Sequence, residues 1–437
     1  MLPKVLIVSR GVWDDSKGVS STLSNLFQDY DPEKIAHIYI ETIIPNTRCC
    51  YRFFQISEIS LVRKLYKWHT KTGHSIDTRE ANAEKVEERI ANQEAAVMSY
   101  VRGHRSFFFS IMREVLWGLN GWKSKELAQF ILDFAPDVVW MDGSPLPLMN
   151  RLYDHVLKIA RKPASIFMQD DVYTYKSCGK NLFLKIMKHR LRRLVRRVVG
   201  QCDNMFVASP KMKHEYDKIF GVDSTFIAKS LDFNNIVISK DIRVHNPVRL
   251  VYLGQVIYGR IHSLIAIAET LAKINQESVK AQLYVYTNNQ ISDELKKRLL
   301  VKDSVFLLPP VPYTEVPQVM VENDVVVFVE SFDPRFCNVA RLSFSTKICD
   351  YLGSGKCILA IGPADVAPIE YFSEEKAALV ATSTDDIEAQ IERLLLPGVI
   401  EDCIVNARRC AEKNHDRKKM NAIIYSKLEE ISDNDNR

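Results

Sequence analysis

Short apolar runs alternate with helical patterns along the chain, and this alternation limits the possible fold more than any other feature. Runs of Val, Ile and Leu that no polar residue interrupts are typical of strands buried on both faces. Such strands occur in parallel sheets that helices cover on each side. The sequence predicts strands over Val5–Ser9, His37–Glu41, Asp137–Asp142, Ser165–Asp170, Asn204–Ser209, Arg249–Gly254, Gln282–Thr287, Val305–Pro309, Asp324–Glu330, Cys357–Gly362 and Ala378–Thr382.

The stretches between these runs have helical periodicity. In "HSLIAIAETLAKIN", for example, apolar residues share one helix face: Leu264, Ile267, Ala268, Leu271 and Ile274. A chain of 437 residues is also too long for one core of ordinary size. We therefore predict an α/β protein with two Rossmann-like α/β/α domains that face each other across a cleft.

The expected domain boundaries follow from the spacing of these runs. The first domain spans 1–235 and contains a helical insertion over about 45–125, which includes a charged helix over Glu80–Tyr100. The second spans 236–410. A C-terminal helix over 411–437 follows, for which a return to the first domain is one arrangement.

Composition excludes several classes of protein. Hydrophobic residues make up 46% of the chain and charged residues 26%, as in globular proteins, and the net charge of +5 is modest. The nine cysteines form no C-x-x-C pair, which argues against a zinc ribbon or a disulfide framework and for a reducing compartment. The N-terminal "MLPKVLIVSRGVW" is typical of a first strand rather than a signal peptide. We therefore expect a cytoplasmic or peripherally attached protein.

The segment "SFSTKICDYLGSGKCILAIGP", residues 343–363, begins a helix with three hydroxyls and a lysine. Backbone N–H groups at a helix start, hydroxyl donors and an ammonium together suit an anion such as a phosphate. Ser and Thr are also preferred as ordinary helix caps, so a simple N-cap is the alternative. The residues concerned are Ser343, Ser345, Thr346 and Lys347.

The surroundings of this segment resemble the donor half of retaining GT-B glycosyltransferases, especially the bacterial group 1, or family 4, enzymes that build capsular and exopolysaccharides. The apolar strand "VVVFVE" ends at Glu330, and "DYLGSGKCILA" places Asp350 five residues before Gly355. The resemblance implies that Glu330 faces the donor sugar and that Asp350 holds the ribose hydroxyls. It also implies that Ser345, Thr346 and Lys347 face the diphosphate.

This chain departs from the family pattern at two places. The spacing between Glu330 and Asp350 is longer than usual, so either Glu330 or Asp333 could meet the sugar. In the loop "GQVIYGRIHSL", Gln255 follows Gly254 where the family commonly has an arginine, and Arg260 is the nearby base expected to bind the diphosphate. Tyr313 is expected to lie near the nucleotide base.

The first domain supplies the predicted acceptor side. "SRGVWDDSKGVSSTLSNLF" resembles the family's glycine-bearing N-terminal loop, which makes Trp13 and Gly18 candidates. "IFMQDDVYTYK" resembles the stretch that lines the acceptor side; Asp171 is a candidate there, and Asp170 joins Glu330 and Asp333 as a candidate catalytic carboxylate. The aspartate pair is not a D-x-D motif and no ligand cluster has metal-binding spacing, so no metal cofactor is expected.

A basic helix is predicted over Lys180–Gly200, which holds eight Lys or Arg residues and no acid. Its apolar residues share one face: Leu184, Met187, Leu191, Leu194 and Val198. Such a helix can lie on an anionic membrane surface, or its charges can simply be solvated. Nucleic acid is disfavoured as a partner, because no RNA-binding module or aromatic–basic interleaving accompanies the helix.

Together, these features predict a transferase that uses a UDP- or GDP-linked sugar as donor substrate and no cofactor. The expected acceptor is a polysaccharide or a lipid-linked saccharide, and the configuration of the sugar is expected to be retained. One alternative is a nucleotide-sugar epimerase on the same architecture. The other is a basic membrane-surface or scaffold protein without catalysis.

Overall fold

A computed structural model describes residues 2–15, 21–79, 107–234 and 243–435. All of the predicted apolar runs form strands, with ends shifted by at most two residues, so the predicted α/β class is confirmed. The strands described are β1 Val5–Val8, β2 Ile35–Tyr39, β3 Arg52–Ile56, β4 Gly73–Asp77, β5 Val138–Asp142, β6 Ala164–Met168, β7 Asn204–Val207, β8 Thr225–Phe226, β9 Val248–Leu253, β10 Ala281–Tyr286, β11 Val305–Leu308, β12 Val325–Val329, β13 Cys357–Ile361 and β14 Leu379–Ala381.

The helices fill the intervals between strands. Those described are α1 Ser21–Phe27, α2 Glu58–Lys64, α3 Phe107–Gly118, α4 Lys125–Phe134, α5 Pro147–Ala160, α6 Leu182–Val199, α7 Pro210–Phe220, α8 Arg260–Ile274, α9 Asp293–Leu299, α10 Val316–Val321, α11 Pro334–Ala340, α12 Lys347–Gly353, α13 Ala367–Glu374, α14 Asp386–Leu394, α15 Val399–Asn414 and α16 Arg417–Asp435. Within the described ranges, no helix is long and apolar enough to cross a membrane.

The chain divides into two compact units. Unit 1 comprises the described residues of Met1–Ala208, Glu215–Ile227 and Asn421–Arg437. Its sheet has the order β4-β3-β2-β1-β5-β6-β7-β8, and every neighbouring pair is parallel except β3 and β4. Within this unit, the amide of Asn421 donates to Asp29 over 2.7 Å and the ring of Tyr425 packs against Tyr30.

The predicted helical insertion over 45–125 needs a correction, because its described part contains two strands. Strand β3 joins the parallel sheet beside β2, and β4 pairs with it antiparallel as the edge. The edge strand "GHSID" has only one large apolar residue, which is why apolar runs did not reveal it. The predicted helix over Glu80–Tyr100 lies outside the described residues.

Unit 2 comprises Ser209–His214 and Ala228–Met420. Its sheet has the order β11-β10-β9-β12-β13-β14, and all neighbouring pairs are parallel. Two apolar clusters cover the two faces of this sheet, as the uninterrupted apolar runs require. The strand order reverses between β9 and β12, and in open α/β sheets ligands bind at the carboxyl ends of strands beside such a switch point.

Candidate active site

An arginine–glutamate pair occupies the switch point of unit 2. Glu330 directly follows β12 and Arg260 begins α8 after β9. The guanidinium of Arg260 donates two hydrogen bonds to the Glu330 carboxylate, over 2.9 and 3.1 Å. Only 6% of Glu330 is exposed, and the Ser263 hydroxyl donates to its carbonyl over 2.7 Å. The sequence-predicted sugar and diphosphate residues therefore lie in direct contact.

Lys347 reaches the same strand ends from the start of α12. Its ammonium donates to the carbonyl of Leu253 over 2.9 Å and lies 5.6 Å from the ring centroid of Tyr252. A Cβ on Gly254 would lie 1.8 Å from the ammonium nitrogen, so this approach requires glycine at position 254. Burial, followed by the positive charge of Arg260, lowers the pKa of Lys347 to about 8.

Gly259 fixes where α8 begins. It has φ of +77° at the N-cap position, in the left-handed region that favours glycine. A Cβ there would lie 2.3 Å from the Ser331 hydroxyl and 2.8 Å from the Phe336 ring. The loop between β9 and α8 thus packs tightly against the loop after β12. The Tyr252 hydroxyl, on β9, donates to the carbonyl of Gln255 in the loop between β9 and α8 over 2.5 Å.

A lysine that the sequence reasoning missed contacts two of the predicted donor residues. The ammonium of Lys229 donates to Asp350 over 2.5 Å and lies 3.3 Å from the Tyr313 hydroxyl. The available sequence signal was a lysine directly after the short apolar run 226–228, and in the structure its neighbours Ala228 and Ser230 are buried. A charged residue in a buried run is normally paired. Asp350 and Tyr313 are thereby brought to the same ammonium group.

Of the remaining predicted residues of unit 2, Asp333 and Ser345 have local partners. Asp333 caps α11 and pairs with Arg335, whose hydrogen bonds lower the pKa of Asp333 to about 2. Ser345 accepts a hydrogen bond from the backbone of Lys347 over 3.4 Å. Thr346 is the N-cap residue of α12, but its exposed side chain makes no capping hydrogen bond. Glu330, rather than Asp333, is therefore the carboxylate beside Arg260.

The predicted acceptor loop is only partly described. Trp13 is fully buried; its indole N–H donates to the Ser24 hydroxyl over 2.8 Å, and its ring packs against Phe27 and His37. The structure therefore places Trp13 in the core of unit 1 and not on its surface. Gly18 lies outside the described residues.

Two aspartates at the end of β6 differ in their surroundings. Asp170 is exposed, whereas Asp171 accepts hydrogen bonds from the backbone of Tyr173 and Thr174 and holds the following turn. A further carboxylate, Asp142, ends β5 and accepts from the Trp140 indole over 3.3 Å. Burial raises the pKa of Asp142 to about 6, and its place directly after an apolar strand was the available sequence signal.

The side chains of the unit 2 cluster are of the types that can bind an anion and a polyol. Two cationic side chains and one buried carboxylate converge on the ends of β9 and β12, and a second carboxylate lies beside Lys229. Cations bind phosphate oxygens, and carboxylates accept hydrogen bonds from sugar hydroxyls. Throughout the described part of the chain, no group of three or more His, Cys, Asp or Glu side chains is arranged to hold a metal ion.

Solved structures of a sucrose-phosphate synthase and a trehalose-phosphate synthase share this fold. The chain is 12% identical to sucrose-phosphate synthase from Thermosynechococcus elongatus, with a TM-score of 0.62 and 98% of each chain covered. It is 8% identical to a UDP-forming α,α-trehalose-phosphate synthase from Burkholderia xenovorans, solved with glucose-6-phosphate, with a TM-score of 0.58 and coverage of 98% of this chain and 100% of that one.

A third similar structure, the GtfA/B complex, is 14% identical with a TM-score of 0.53; the match covers 71% of this chain and 61% of that one. No protein-family model and no curated protein sequence matches the chain. Because these identities are low, the likeness shows the fold: the chain has the GT-B fold, as the sequence predicted.

Proposed function

We propose that this chain is a glycosyltransferase that moves a sugar from a nucleotide diphosphate sugar to a saccharide acceptor. The observation that carries the proposal is the meeting of Arg260, Lys347 and Glu330 at the switch point of a GT-B sheet. UDP is the nucleotide favoured for a first test, since one structural neighbour is UDP-forming. The acceptor is a polysaccharide or a lipid-linked saccharide.

Each residue of the site has a role in this proposal. Arg260 and Lys347 bind the diphosphate and stabilise the negative charge that develops as it departs. Asp350 accepts hydrogen bonds from the ribose hydroxyls, with Lys229 holding its carboxylate in place. Glu330 accepts from a hydroxyl of the donor sugar.

Binding of the donor exchanges one partner of Arg260 for another. The guanidinium donates to the Glu330 carboxylate through Nε and Nη2, so an incoming diphosphate competes with that carboxylate. Its displacement frees Glu330 for the sugar hydroxyl. The ion pair therefore holds the Arg260 guanidinium near the diphosphate position and the Glu330 carboxylate near the sugar position.

We propose that transfer retains the anomeric configuration. The bond from the anomeric carbon to the diphosphate oxygen breaks, and the bond to the acceptor oxygen forms on the same face. The acceptor proton passes to the departing phosphate oxygen. This route needs no protein side chain as general base, and Arg260 and Lys347 supply the charge that stabilises the leaving group.

The direct test is UDP binding measured by calorimetry. Lys347→Ala should weaken binding at least about tenfold, because it removes a charge-assisted contact with the diphosphate. Lys356→Ala is the matched control, since Lys356 is a partly buried lysine beyond the other end of α12. Equal affinities for all three proteins would remove Lys347 from the site. Turnover of a sugar nucleotide without an acceptor would favour an epimerase instead.

We further propose that the protein is cytoplasmic and peripheral on the anionic inner face of the plasma membrane, through α6. The second half of this helix packs into unit 1, where Leu191, Val195 and Val198 are buried. Its first half leaves large apolar side chains exposed, and a cavity of about 430 Å³ beside them is lined by three bases and no acid. The lining residues are Tyr175, Lys185, Ile186, His189, Arg190 and Arg193.

Vesicle sedimentation tests the membrane contact. Changing Arg192, Arg193, Arg196 and Arg197 to Gln should release the protein from anionic vesicles, because each base near such a surface contributes about 1 kcal/mol. The control removes the same charge from exposed lysines of unit 2: Lys280, Lys296, Lys297 and Lys302. Unchanged sedimentation of the α6 variant would mean that these arginines do not contact the membrane and act only within unit 1, where Arg192 lies over the Tyr173 ring and Arg197 pairs with Asp154.

A further inference from the structure

A second exposed apolar surface lies at the end of α2 in unit 1. Four large side chains are exposed there: Val62 to 48%, Leu65 to 62%, Tyr66 to 69% and Trp68 to 75%. We call these four residues the Trp68 surface. Large apolar side chains in a contiguous exposed group mark sites of interaction more often than single exposed ones do.

The segment that carries the Trp68 surface is strongly basic. Residues 59–72 contain four Lys or Arg residues and no acid. Arg63 and Lys67 are exposed beside the apolar side chains, whereas the Lys64 ammonium donates to the carbonyl of Gly121 over 3.0 Å. Lys71 has an acidic partner, Glu126, at 4.0 Å. The surface therefore offers apolar and positively charged groups together.

This surface is held in place by buried contacts. Glu58, in the first turn of α2, accepts hydrogen bonds from Arg113 over 2.6 Å and from the Trp117 indole over 2.7 Å. Leu61 is buried, and the Thr72 hydroxyl donates to the carbonyl of Gly121 over 3.0 Å. Both ends of the segment are thus fixed to α3 and the loop after it, and the apolar side chains are presented outward.

The helices of unit 1 connect this surface to the proposed membrane contact of α6. Helix α2 packs on α3, α3 on α5, and α5 on α6. Tryptophan and tyrosine prefer the headgroup level of a bilayer, and Lys and Arg attract anionic lipids. We infer that the Trp68 surface enters the headgroup layer of an anionic membrane, so that unit 1 contacts the bilayer through two places in one helical layer.

Tryptophan fluorescence gives a specific readout. The chain has five tryptophans; Trp13, Trp117, Trp122 and Trp140 are at most 1% exposed, whereas Trp68 is 75% exposed. Any change caused by vesicles is therefore expected from Trp68. Vesicles of phosphatidylcholine with phosphatidylglycerol should shift the emission to the blue and protect it from aqueous quenchers. Phosphatidylcholine alone should do so less.

Two variants separate the contact from the signal. Trp68→Phe should bind vesicles nearly as well as the parent and show no shift. The double change Leu65→Ser and Tyr66→Ser should weaken vesicle binding by about tenfold or more, because two large apolar side chains lose their lipid contact. Their exposure means that neither variant should unfold. UDP affinity, which depends on unit 2, should stay unchanged in both.

Three outcomes would overturn the inference. The first is an unchanged emission of Trp68 on vesicles that the protein binds, since α6 alone would then make the contact. The second is full vesicle binding by the double variant. The third is a dimer whose Trp68 is already protected before vesicles are added, because a second copy would then cover the surface. Loss of UDP binding would bear on the proposed function only.

Discussion

At the scale of single residues, the properties of the site come from how its charges are buried. Lys347 keeps an ammonium against the carbonyl of Leu253, in a place where burial and Arg260 disfavour the charge. Such a lysine is poised to be stabilised by an arriving anion, since the anion replaces the missing solvation. The pKa of Lys347 should therefore rise when a diphosphate binds beside it.

The pH dependence of UDP binding should report this lysine. The charged form binds the diphosphate, and a pKa of about 8 means that most Lys347 is protonated at pH 7 and most is neutral at pH 9. Affinity should therefore fall by about tenfold between these values, with proton uptake on binding near pH 8. Calorimetry in buffers of different ionisation enthalpy measures both. Lys347→Arg, charged throughout, should flatten the profile; a profile that is flat in the parent would contradict the prediction.

Glu330→Gln should tighten the binding of UDP without a sugar. The amide holds Arg260 less strongly than the carboxylate does, so the diphosphate competes with a weaker partner. We expect a gain of several-fold in affinity together with a loss of sugar transfer. Glu370→Gln is the matched control, because it removes the same charge from an ion pair with Lys211 elsewhere in unit 2. Weaker binding by Glu330→Gln would refute the exchange of partners.

At the residue scale, the sequence indicated which side chains lie together where a motif marked the place; their roles stay predictions. Arg260, Glu330 and Lys347 follow apolar strands or begin helices, and the structure brings them together. Lys229 was missed because its partner Asp350 is 121 positions away, and no local pattern encodes such a contact. Trp13 was predicted to lie on the acceptor side because it stands in the N-terminal loop. In the structure its side chain is buried in the core of unit 1.

At the scale of elements, the start of α8 decides where Arg260 points. Gly259 is a left-handed N-cap with no room for a side chain. Gly398, the N-cap of α15, has the same backbone geometry with φ of +82°, but open space around it. A comparison of alanine substitutions at these two glycines therefore distinguishes the cost of backbone strain from the cost of a steric collision.

Gly259→Ala should cost more stability than Gly398→Ala. Both changes place a Cβ in the left-handed region, which costs about 1–2 kcal/mol. Only Gly259→Ala also collides with Ser331 and Phe336, so we expect its cost to be larger by at least about 1 kcal/mol. Urea unfolding measures both values, and UDP affinity should fall for Gly259→Ala alone. An equal loss of unfolding free energy in the two variants would show that the loop after β12 can move to accommodate the added Cβ.

Strands and helices were predictable from the sequence where their burial produces a regular pattern of apolar residues. In unit 2 the central strands β12 and β13 are buried on both faces, and the apolar runs indicated the positions of the strands within two residues. Strand β4 lies at an edge, where polar residues are tolerated, so its sequence resembles a loop. For α6 the sequence predicted the apolar face, but only the structure shows that burial begins at Leu191.

At the scale of the whole molecule, the fold depends on apolar periodicity more than on side-chain identity. Structures with 8–14% identity share it. The fold was therefore predictable from the apolar periodicity of the sequence, because many different residues can fill the same buried positions. The substrate is set by a few contacts between distant positions, such as Lys229 with Asp350, and one chain does not display these before it is folded.

UDP should stabilise unit 2 through its phosphates. A ligand at 100 times its Kd adds about 2.7 kcal/mol to the free energy of unfolding of the body that it binds. Hydrogen exchange should therefore slow by about a hundredfold at the slowest amides of β12 and β13, which lie in the core of unit 2. Uridine, which lacks the diphosphate bound by Arg260 and Lys347, should give little protection at the same concentration. Equal protection by uridine and UDP would mean that the base and ribose account for the affinity. Arg260 and Lys347 would then not bind the diphosphate.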